Sequence, residues 1–147
     1  MPTWNIFRRR QGVATLLLAP VALCANLSAG AAETADPAIY AGQSRVLLVF
    51  APTQDDARLI EQKRSVEADK AGAAERGLVL LTVIGTSPAD AGNDRLRRRY
   101  QVAPDQFIAV LIGKDGGSKL RSPDAIRASV LFATIDAMPM RRAEMRR

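Results

Sequence analysis

Three continuous apolar runs, each bounded by polar or turn-forming residues, dominate the pattern of the chain after its first forty residues. They lie at 45–51, 78–84 and 107–112. Short apolar runs without alternation are typical of strands that are buried on both faces of a sheet. We therefore expect three central strands, followed by an Asp-Gly hairpin turn and a short edge strand at 118–121.

The polar segments between these runs predict the first two helices. Thr53 with Asp56 three residues later predicts a capping box, and the helix should continue to about Arg76, where Gly77 ends it. Its thin apolar stripe comprises Leu59, Ile60, Val66 and Ala73. After a loop at 85–93, a second, short helix is expected from about residue 94 to residue 100.

A third helix should close the domain. Ser122-Pro123-Asp124 has the residue types of a helix N-terminus, with a capping serine, proline at the first position and an acid in the first turn. The apolar residues expected to be buried are Ile126, Val130, Ala133 and Ala137. Pro139 should end this helix.

The predicted order of elements is β-α-β-α-β-β-α. This alternation favours an α/β sandwich of three layers, α/β/α, around a four-stranded mixed sheet. A βαβ crossover followed by a β-hairpin and a closing helix resembles the core of the thioredoxin fold. The fold class is therefore expected to be α/β and thioredoxin-like.

The N-terminal segment has the pattern of an export signal. Three arginines at 8–10 precede an apolar run of 11 residues at 13–23, and Ala29-Gly30-Ala31 offers a cleavage site. This run is too short to span a bilayer. We predict a signal peptide at 1–31, a flexible leader at 32–44 and one domain at 45–147, located in the periplasm or secreted, with no transmembrane segment.

Two other export routes fit less well. Cys24 follows Leu23, whereas a lipoprotein signal has a small residue before its cysteine, so release is expected rather than lipid anchoring. The arginine cluster is similar to a twin-arginine signal, but Gln11-Gly12 departs from that pattern.

Composition narrows the chemistry. The chain has no histidine, and its single cysteine, Cys24, lies in the predicted signal peptide. A thiol oxidoreductase or a peroxiredoxin is thereby excluded for the processed protein, and no catalytic residue, cofactor or metal site is predicted. Three of the 21 basic residues and none of the 15 acidic residues precede residue 32, so the net charge falls from +6 to +3 on cleavage. With so few aromatic residues, nucleic acid is not an expected partner, whereas an anionic envelope or extracellular partner is.

Two segments contain the candidate binding residues. Lys114, Asp115 and Lys119 surround the predicted turn, which is either a solvated hairpin tip or a small anion site made with turn amides. The segment 136–142 is either a tail that packs its methionines over the sheet edge or an adaptable partner-binding strip. The complete set of candidate residues is Gln54, Lys114, Asp115, Gly116, Lys119, Arg121, Asp136, Met138, Pro139, Met140 and Arg141.

Asp136 would lie unfavourably at the negative end of the last helix unless a cation binds it. We expect Arg141 or Arg142 to supply that cation after the chain reverses at Pro139.

The first strand and the residues after it resemble the active-site region of thioredoxins. In the stretch 50–57, Gln54 and Ala57 occupy the positions where the two redox cysteines would fall. Pro104 is the nearest counterpart of the cis-proline that faces that site in thioredoxins.

A more specific resemblance is to the family called domain of unknown function 4174. It rests on four strings, namely Val49-Phe50-Ala51-Pro52, Glu75-Arg76-Gly77-Leu78, the residues from Leu111 to Arg121, and those from Ile135 to Arg142. Members of this family look like exported bacterial proteins, and related domains occur in extracellular animal proteins of the sushi-repeat and matrix-associated kind. The resemblance implies a thioredoxin-like domain without redox cysteines, and it implies no assigned reaction.

Two hypotheses for function remain. The first is a non-catalytic binding or scaffold domain of the cell envelope. The second is an enzyme that uses Lys114 or Lys119 with Asp115 or Asp136 in a thioredoxin-like groove. A hydrogen bond between Asp136 and a groove lysine would favour the enzyme, and an exposed apolar strip at 138–140 would favour binding.

Overall fold

The computed structural model describes residues 36–85 and 91–147, which contain a four-stranded mixed sheet. The strands are β1 (Arg45–Ala51), β2 (Leu78–Ile84), β3 (Ile108–Ile112) and β4 (Ser118–Ser122). Their order in the sheet is β2-β1-β3-β4. β2 is parallel to β1, β3 is antiparallel to β1, and β4 is antiparallel to β3. The bounds predicted at 45–51 and 78–84 are confirmed, but the prediction that 78–84 is a central, fully buried strand is wrong, because β2 lies at the edge of the sheet and is only partly buried.

Five α-helices are found in the described part of the chain. They are α1 (Ala57–Ala68), α2 (Lys70–Glu75), α3 (Ala91–Tyr100), α4 (Ala128–Asp136) and α5 (Pro139–Met145). The helices and the sheet form the predicted thioredoxin-like α/β fold. β1 is buried along its whole length because apolar side chains cover both of its faces. Two covered faces explain why its sequence does not alternate.

One core cluster lies on each face of the sheet. On the first face, Leu47 and Val49 pack with Leu59 of α1 and with Leu131 and Ile135 of α4. On the second face, the buried residues are Val46, Leu48, Phe50, Val83, Leu96, Val102, Val110 and Ile112, with Leu96 contributed by α3.

The predicted start of the first helix is wrong. Asp56 rather than Thr53 is the N-cap, because its carboxylate accepts a hydrogen bond from the backbone N–H of Arg58 at 2.9 Å. The helix is also interrupted before Gly77. At Asp69 the backbone leaves the helical region, and the Asp69 side chain caps α2 by accepting from Gly72 N at 2.9 Å.

The predicted start and buried face of the last helix are also wrong. α4 begins at Ala128, and residues 123–127 form a loop that Gln62 holds. The buried Gln62 amide accepts from Ile126 N at 2.7 Å and donates to Ile126 O at 2.9 Å. With Ile126 fixed ahead of the helix, Leu131, Phe132 and Ile135 turn inward, whereas Val130 is 48% exposed and Ala133 and Ala137 are exposed.

The prediction of a flexible leader at 32–44 is wrong for residues 36–44. A short 3-10 helix, Pro37–Tyr40, is capped by the Asp36 carboxylate, and Pro37 is buried. Tyr40 packs against the second core cluster, and Gly42 N donates to Lys114 O at 2.7 Å. This segment is therefore part of the domain.

The predicted signal peptide, Cys24 included, lies outside the described residues, as do residues 32–35 and much of the predicted loop at 85–93. Within 36–85 and 91–147, no helix has the length and apolar character needed to cross a membrane.

Candidate functional site

The β3–β4 turn is held by its own side chains. Gly113 N donates to Gly117 O at 2.9 Å, and Gly116 adopts a φ of 75°, which glycine reaches without strain. The Asp115 carboxylate accepts from Gly117 N at 3.1 Å and from Lys119 Nζ at 2.5 Å. The hydrogen bond from Lys119 is the main reason why the pKa of Asp115 is lowered.

Gly113 is required by this arrangement, although the sequence analysis did not single it out. A Cβ atom at Gly113 would lie 2.6 Å from Asp115 Oδ1 and 2.7 Å from Lys119 Cε. A side chain there would push the two charged groups apart. The signal in the sequence was only a glycine between an apolar strand and a charged turn.

The chain after α4 reverses and forms a further helix. α4 ends at Asp136, and Pro139 occupies the first turn of α5. Met138 is buried in the first core cluster, whereas Met140 is 46% exposed. One methionine of the tail therefore packs into the core, whereas the other faces outward.

The turn and the tail form the two walls of one cleft, which we name the hairpin–tail cleft. Its volume is about 40 Å³, and it is lined by Arg45, Gly113, Lys114, Asp115, Lys119, Met138, Pro139 and Met140. Six of these are among the candidate residues predicted from sequence. A wider depression of about 660 Å³ lies on the outer side of α1, but it is open and contains none of the predicted candidates.

Glu144 of α5 joins the two walls electrostatically. Its carboxylate accepts from Lys114 Nζ at 2.7 Å and from Arg45 Nη1 at 3.3 Å. These cations lower the pKa of Glu144, and the hydrogen bond from Lys114 is the largest cause. Arg45, only 1% exposed, also donates to Arg76 O at 2.8 Å, whereas its Nε has no hydrogen-bond acceptor among the described residues.

Asp136 lies in a second set of ion pairs beside the cleft. Arg76 Nη2 is 2.8 Å from Asp136 Oδ2, and Arg141 Nε is 3.2 Å from Oδ1. The predicted partner Arg141 is confirmed, while Arg142 is exposed and Arg76 was not anticipated. The hydrogen bond from Arg76 is the largest cause of the lowered pKa of Asp136.

Arg141 and Arg76 are held by further groups. Arg141 donates to the carboxylate of Glu75 and, at 3.2 Å, to its backbone carbonyl. The Arg76 guanidinium stacks 4.6 Å from the centre of the Phe132 ring, so it is supported by α4 on a second side.

Two predicted candidates lie elsewhere. Gln54 is exposed in the loop after the C-terminal end of β1, whereas Arg45 of the cleft is the first residue of that strand. Arg121 donates to Tyr100 O at 2.7 Å and to Gln101 O at 3.4 Å, and thereby ties β4 to the end of α3. Neither residue lines the hairpin–tail cleft.

The strand ends near Gln54 are sealed by a buried arginine of α3. Arg97 of α3 is 3% exposed and donates to Ala51 O at 2.9 Å, Gly85 O at 3.1 Å and Ala103 O at 2.9 Å. It forms no ion pair with a carboxylate of the described residues, and burial lowers its pKa. Its role in the fold is to satisfy backbone carbonyls.

These features can be set against known proteins. The family model of domain of unknown function 4174 matches residues 37–144, which include the short 3-10 helix, the sheet and the tail up to Glu144. The chain belongs to this family. The domain of unknown function 4174 has no assigned molecular function, so membership fixes the relationship without naming a reaction.

One curated relative of this domain is coiled-coil domain-containing protein 80 of Danio rerio. It is 23% identical, and the match covers 69% of this chain but only 14% of the zebrafish protein. Among solved structures, the reduced 2-Cys peroxiredoxin of Plasmodium vivax is similar, with a TM-score of 0.56 and 18% identity, over 76% of this chain and 85% of that one. This likeness shows a shared fold.

Proposed function

We propose that this member of the family is an exported, non-catalytic binding domain of the cell envelope and that the hairpin–tail cleft is its binding site. The observation that carries the proposal is the convergence of two separate segments on one cleft. The turn contributes Lys114 and Lys119, and the tail contributes the exposed Met140. Methionine surfaces adapt to varied apolar groups, and the lysines attract negative charge.

The polar wall favours an acidic ligand group. Lys114 and Lys119 already bind the carboxylates of Glu144 and Asp115, so an acidic ligand group would share or replace these carboxylates. Arg45 lines the same cleft and has one N–H without an acceptor among the described residues. The expected ligand is a peptide with an acidic side chain beside an apolar one.

Of the two acids named in the enzyme hypothesis, Asp115 binds a lysine of the cleft, Lys119, at 2.5 Å on the exposed turn. A hydrogen bond between Asp136 and a groove lysine would have favoured that hypothesis, but Asp136 binds Arg76 and Arg141. An arginine does not give up its proton at physiological pH, so these pairs supply no general acid or base. The contacts of Asp136 therefore do not supply the arrangement that would have favoured catalysis.

The binding proposal can be tested with two hexapeptides that differ only in a glutamate or a glutamine next to a leucine. We expect the glutamate peptide to shift the backbone amide NMR signals of residues 113–119 and 140. Lys119→Met should weaken its binding about tenfold, corresponding to a loss of about 1.4 kcal/mol. Lys63→Met, at an exposed lysine of α1, is the matched control and should leave binding unchanged. Equal binding of both peptides would contradict an acidic ligand.

The export part of the proposal is supported by the pattern of residues 1–31 and has its own test. The intact mass of the protein recovered outside the cytoplasm should correspond to a chain that begins at Ala32. A mass that includes a diacylated Cys24 would contradict release and show lipid anchoring instead.

A further inference from the structure

The hairpin–tail cleft is smaller than the ligand proposed for it. Its volume of about 40 Å³ is close to that of roughly one or two water molecules. Pockets that enclose a small ligand measure about 300 Å³ or more. One of the two walls must therefore move before an acidic and an apolar side chain can enter together.

The turn is the more firmly held wall, because it belongs to the sheet. It joins β3 to β4, and these two strands are hydrogen-bonded to each other. Gly42 N also donates to Lys114 O at 2.7 Å and thereby ties the turn to the segment before β1. Asp115 and Lys119 both belong to this wall, so breaking their ion pair would not widen the cleft.

The tail wall is held less firmly, because α5 has no buried apolar side chain. Arg141 is the only buried residue of this seven-residue helix, and no residue of α5 belongs to either core cluster. Helices in proteins are stabilised mainly by the packing of an apolar face, so the local stability of α5 is low. Its side chains are held by ion pairs, namely those of Arg141 with Asp136 and Glu75 and those of Glu144 with Arg45 and Lys114.

Glu144 is the residue of α5 that binds the opposite wall. Among the described residues, the hydrogen bond between Lys114 and Glu144, at 2.7 Å, is the one that joins the turn to α5. The same carboxylate accepts from both terminal nitrogens of Arg45, at 3.3 to 3.4 Å. Arg45 and Lys114 line the cleft, so two cations of the cleft already hold one carboxylate between them.

Given the binding function proposed above, on which this step rests, we propose that Arg45 and Lys114 form the acid-binding subsite of the cleft. Glu144 fills this subsite in the free protein, and an acidic group of the ligand replaces it. The replacement exchanges one carboxylate for another, so the buried Arg45 is not left without a counter-charge. It also breaks the link between the turn and α5, so the cleft widens as the ligand enters.

Glu144 is therefore a competitor of every acidic ligand. Because its carboxylate belongs to the same chain, the subsite is open for only a fraction of the time, and the apparent affinity is lowered by that fraction. Removing this competing charge should tighten binding. Replacing a residue that only supports the shape of the site should weaken binding instead, so the sign of the effect separates the two roles.

The test uses the glutamate and glutamine hexapeptides described above, with affinities measured by isothermal titration calorimetry. Glu144→Gln should bind the glutamate peptide about fivefold more tightly than the unmodified protein, because the lost ion pair is partly exposed. It should not bind the glutamine peptide more tightly. In the unmodified protein, the glutamate peptide should also shift the amide NMR signals of residues 141–146, since α5 is released. The variant should fold, because α5 contributes nothing to either core cluster.

Glu75→Gln is the matched control. Glu75 pairs with Arg141 and so also supports α5, but it binds neither cation of the subsite. The affinity of this variant for the glutamate peptide should be unchanged. If Glu75→Gln tightens binding as much as Glu144→Gln does, loosening of α5 rather than release of the two cations is responsible, and the proposal is overturned.

A second variant tests the role of Lys114. In the Lys114→Met protein, the further change Glu144→Gln should tighten binding less, because one of the two cations that Glu144 vacates is missing. If the unmodified protein binds both peptides equally or binds neither, the proposed function fails, and the subsite fails with it. If it prefers the glutamate peptide but Glu144→Gln binds that peptide no more tightly, the proposed function stands and the replacement of Glu144 is refuted.

Discussion

Each end of β1 is closed by a buried arginine, and the two arginines are satisfied by different groups. At the first residue of the strand, Arg45 binds the Glu144 carboxylate and the Arg76 carbonyl. At the last residue, Arg97 binds the backbone carbonyls of Ala51, Gly85 and Ala103. At the N-terminal end of β1 the arginine belongs to a network of ion pairs beside a cleft. At the C-terminal end the arginine donates to backbone carbonyls and is buried.

This difference shows that the accessible functional side chains of this fold can lie at either end of the same strand. In the thioredoxin-like comparison, the redox cysteines would follow the C-terminal end of β1, where this chain has Gln54 and Ala57 and where Arg97 fills the space between strand ends. The cationic side chains that reach a cleft lie at the opposite end instead. The proposed binding site therefore lies at the N-terminal end of β1, whereas the thiol site of a thioredoxin would lie at the C-terminal end.

The largest effect on stability is expected from replacing Arg97, whose hydrogen-bond acceptors are backbone carbonyls. Arg97→Met should lower the free energy of unfolding by about 3 kcal/mol, because several buried carbonyls lose their donor at once. Urea unfolding measures the change. Arg98→Met, at an exposed position of the same helix, should cost less than about 0.5 kcal/mol. Similar costs for the two variants would show that Arg97 does not seal the strand ends.

Removing the ion-paired arginine should cost less. Arg45→Met is expected to lower the free energy of unfolding by about 2 kcal/mol, less than a fully buried ion pair would lose. The reason is that Glu144 keeps Lys114 at 2.7 Å and its side chain is 32% exposed to water. Arg127→Met, at an exposed arginine before α4, is the control for urea unfolding. A loss larger than that of Arg97→Met would reverse the comparison.

Lowering the pH should weaken the interactions at the Arg45 end of β1 but not those at the Arg97 end. The pKa of Glu144 and that of Asp136 are lowered in the folded protein. Their stabilisation is therefore present above the ordinary carboxyl pKa and is lost as the pH falls through the folded-state pKa. We expect Glu144→Gln to melt below the unmodified protein at neutral pH, with a gap that narrows toward about pH 3.

The corresponding gap for Arg97→Met should stay nearly constant over the same range, because backbone carbonyls do not titrate. Thermal unfolding at several pH values measures both gaps. If both narrow equally, the contrast between ionic and dipolar partners is wrong.

The smallest effect concerns the turn beside the ionic end. Gly116→Ala should cost about 1 kcal/mol from backbone strain alone, since φ is 75° and a Cβ atom there meets nothing within 4 Å. Gly117→Ala, with ordinary φ and a Cβ contact of 3.4 Å, is the control and should cost less. Chemical denaturation measures both, and equal costs would show that the strain at Gly116 is not the deciding factor.

The strands were predictable because their signal is local. The runs at 45–51 and 78–84 are continuous, and short apolar runs bounded by polar or turn-forming residues are typical of strands. The run did not reveal that β2 lies at the edge of the sheet and is only partly buried. The last helix was not predictable from its own spacing. Its start depends on Gln62, which is 64 residues before Ile126 in the sequence. The Gln62 side chain binds both the backbone N–H and the backbone C=O of Ile126.

The residues of the candidate site were likewise predictable from the sequence only in part. The charged turn and the methionine tail were visible as motifs, and the pairing of Asp136 with Arg141 followed from the helix dipole. Arg45, Arg76 and Glu144 were missed as site residues, because their partners come from distant parts of the chain. A basic residue at the start of a fully apolar strand was the only signal that Arg45 gave.

By itself, the sequence determined the fold class, the bounds of β1 and β2 and the absence of cysteine and histidine from residues 32–147, because hydrophobic runs and composition can be read from the chain without its tertiary contacts. Only the tertiary structure decided that the turn and the tail share a cleft, that Arg97 seals one end of β1, and that β2 lies at an edge of the sheet. These facts depend on strand order and on which side chains meet across the sheet. Such contacts join residues far apart in the chain, and a local pattern carries no information about them.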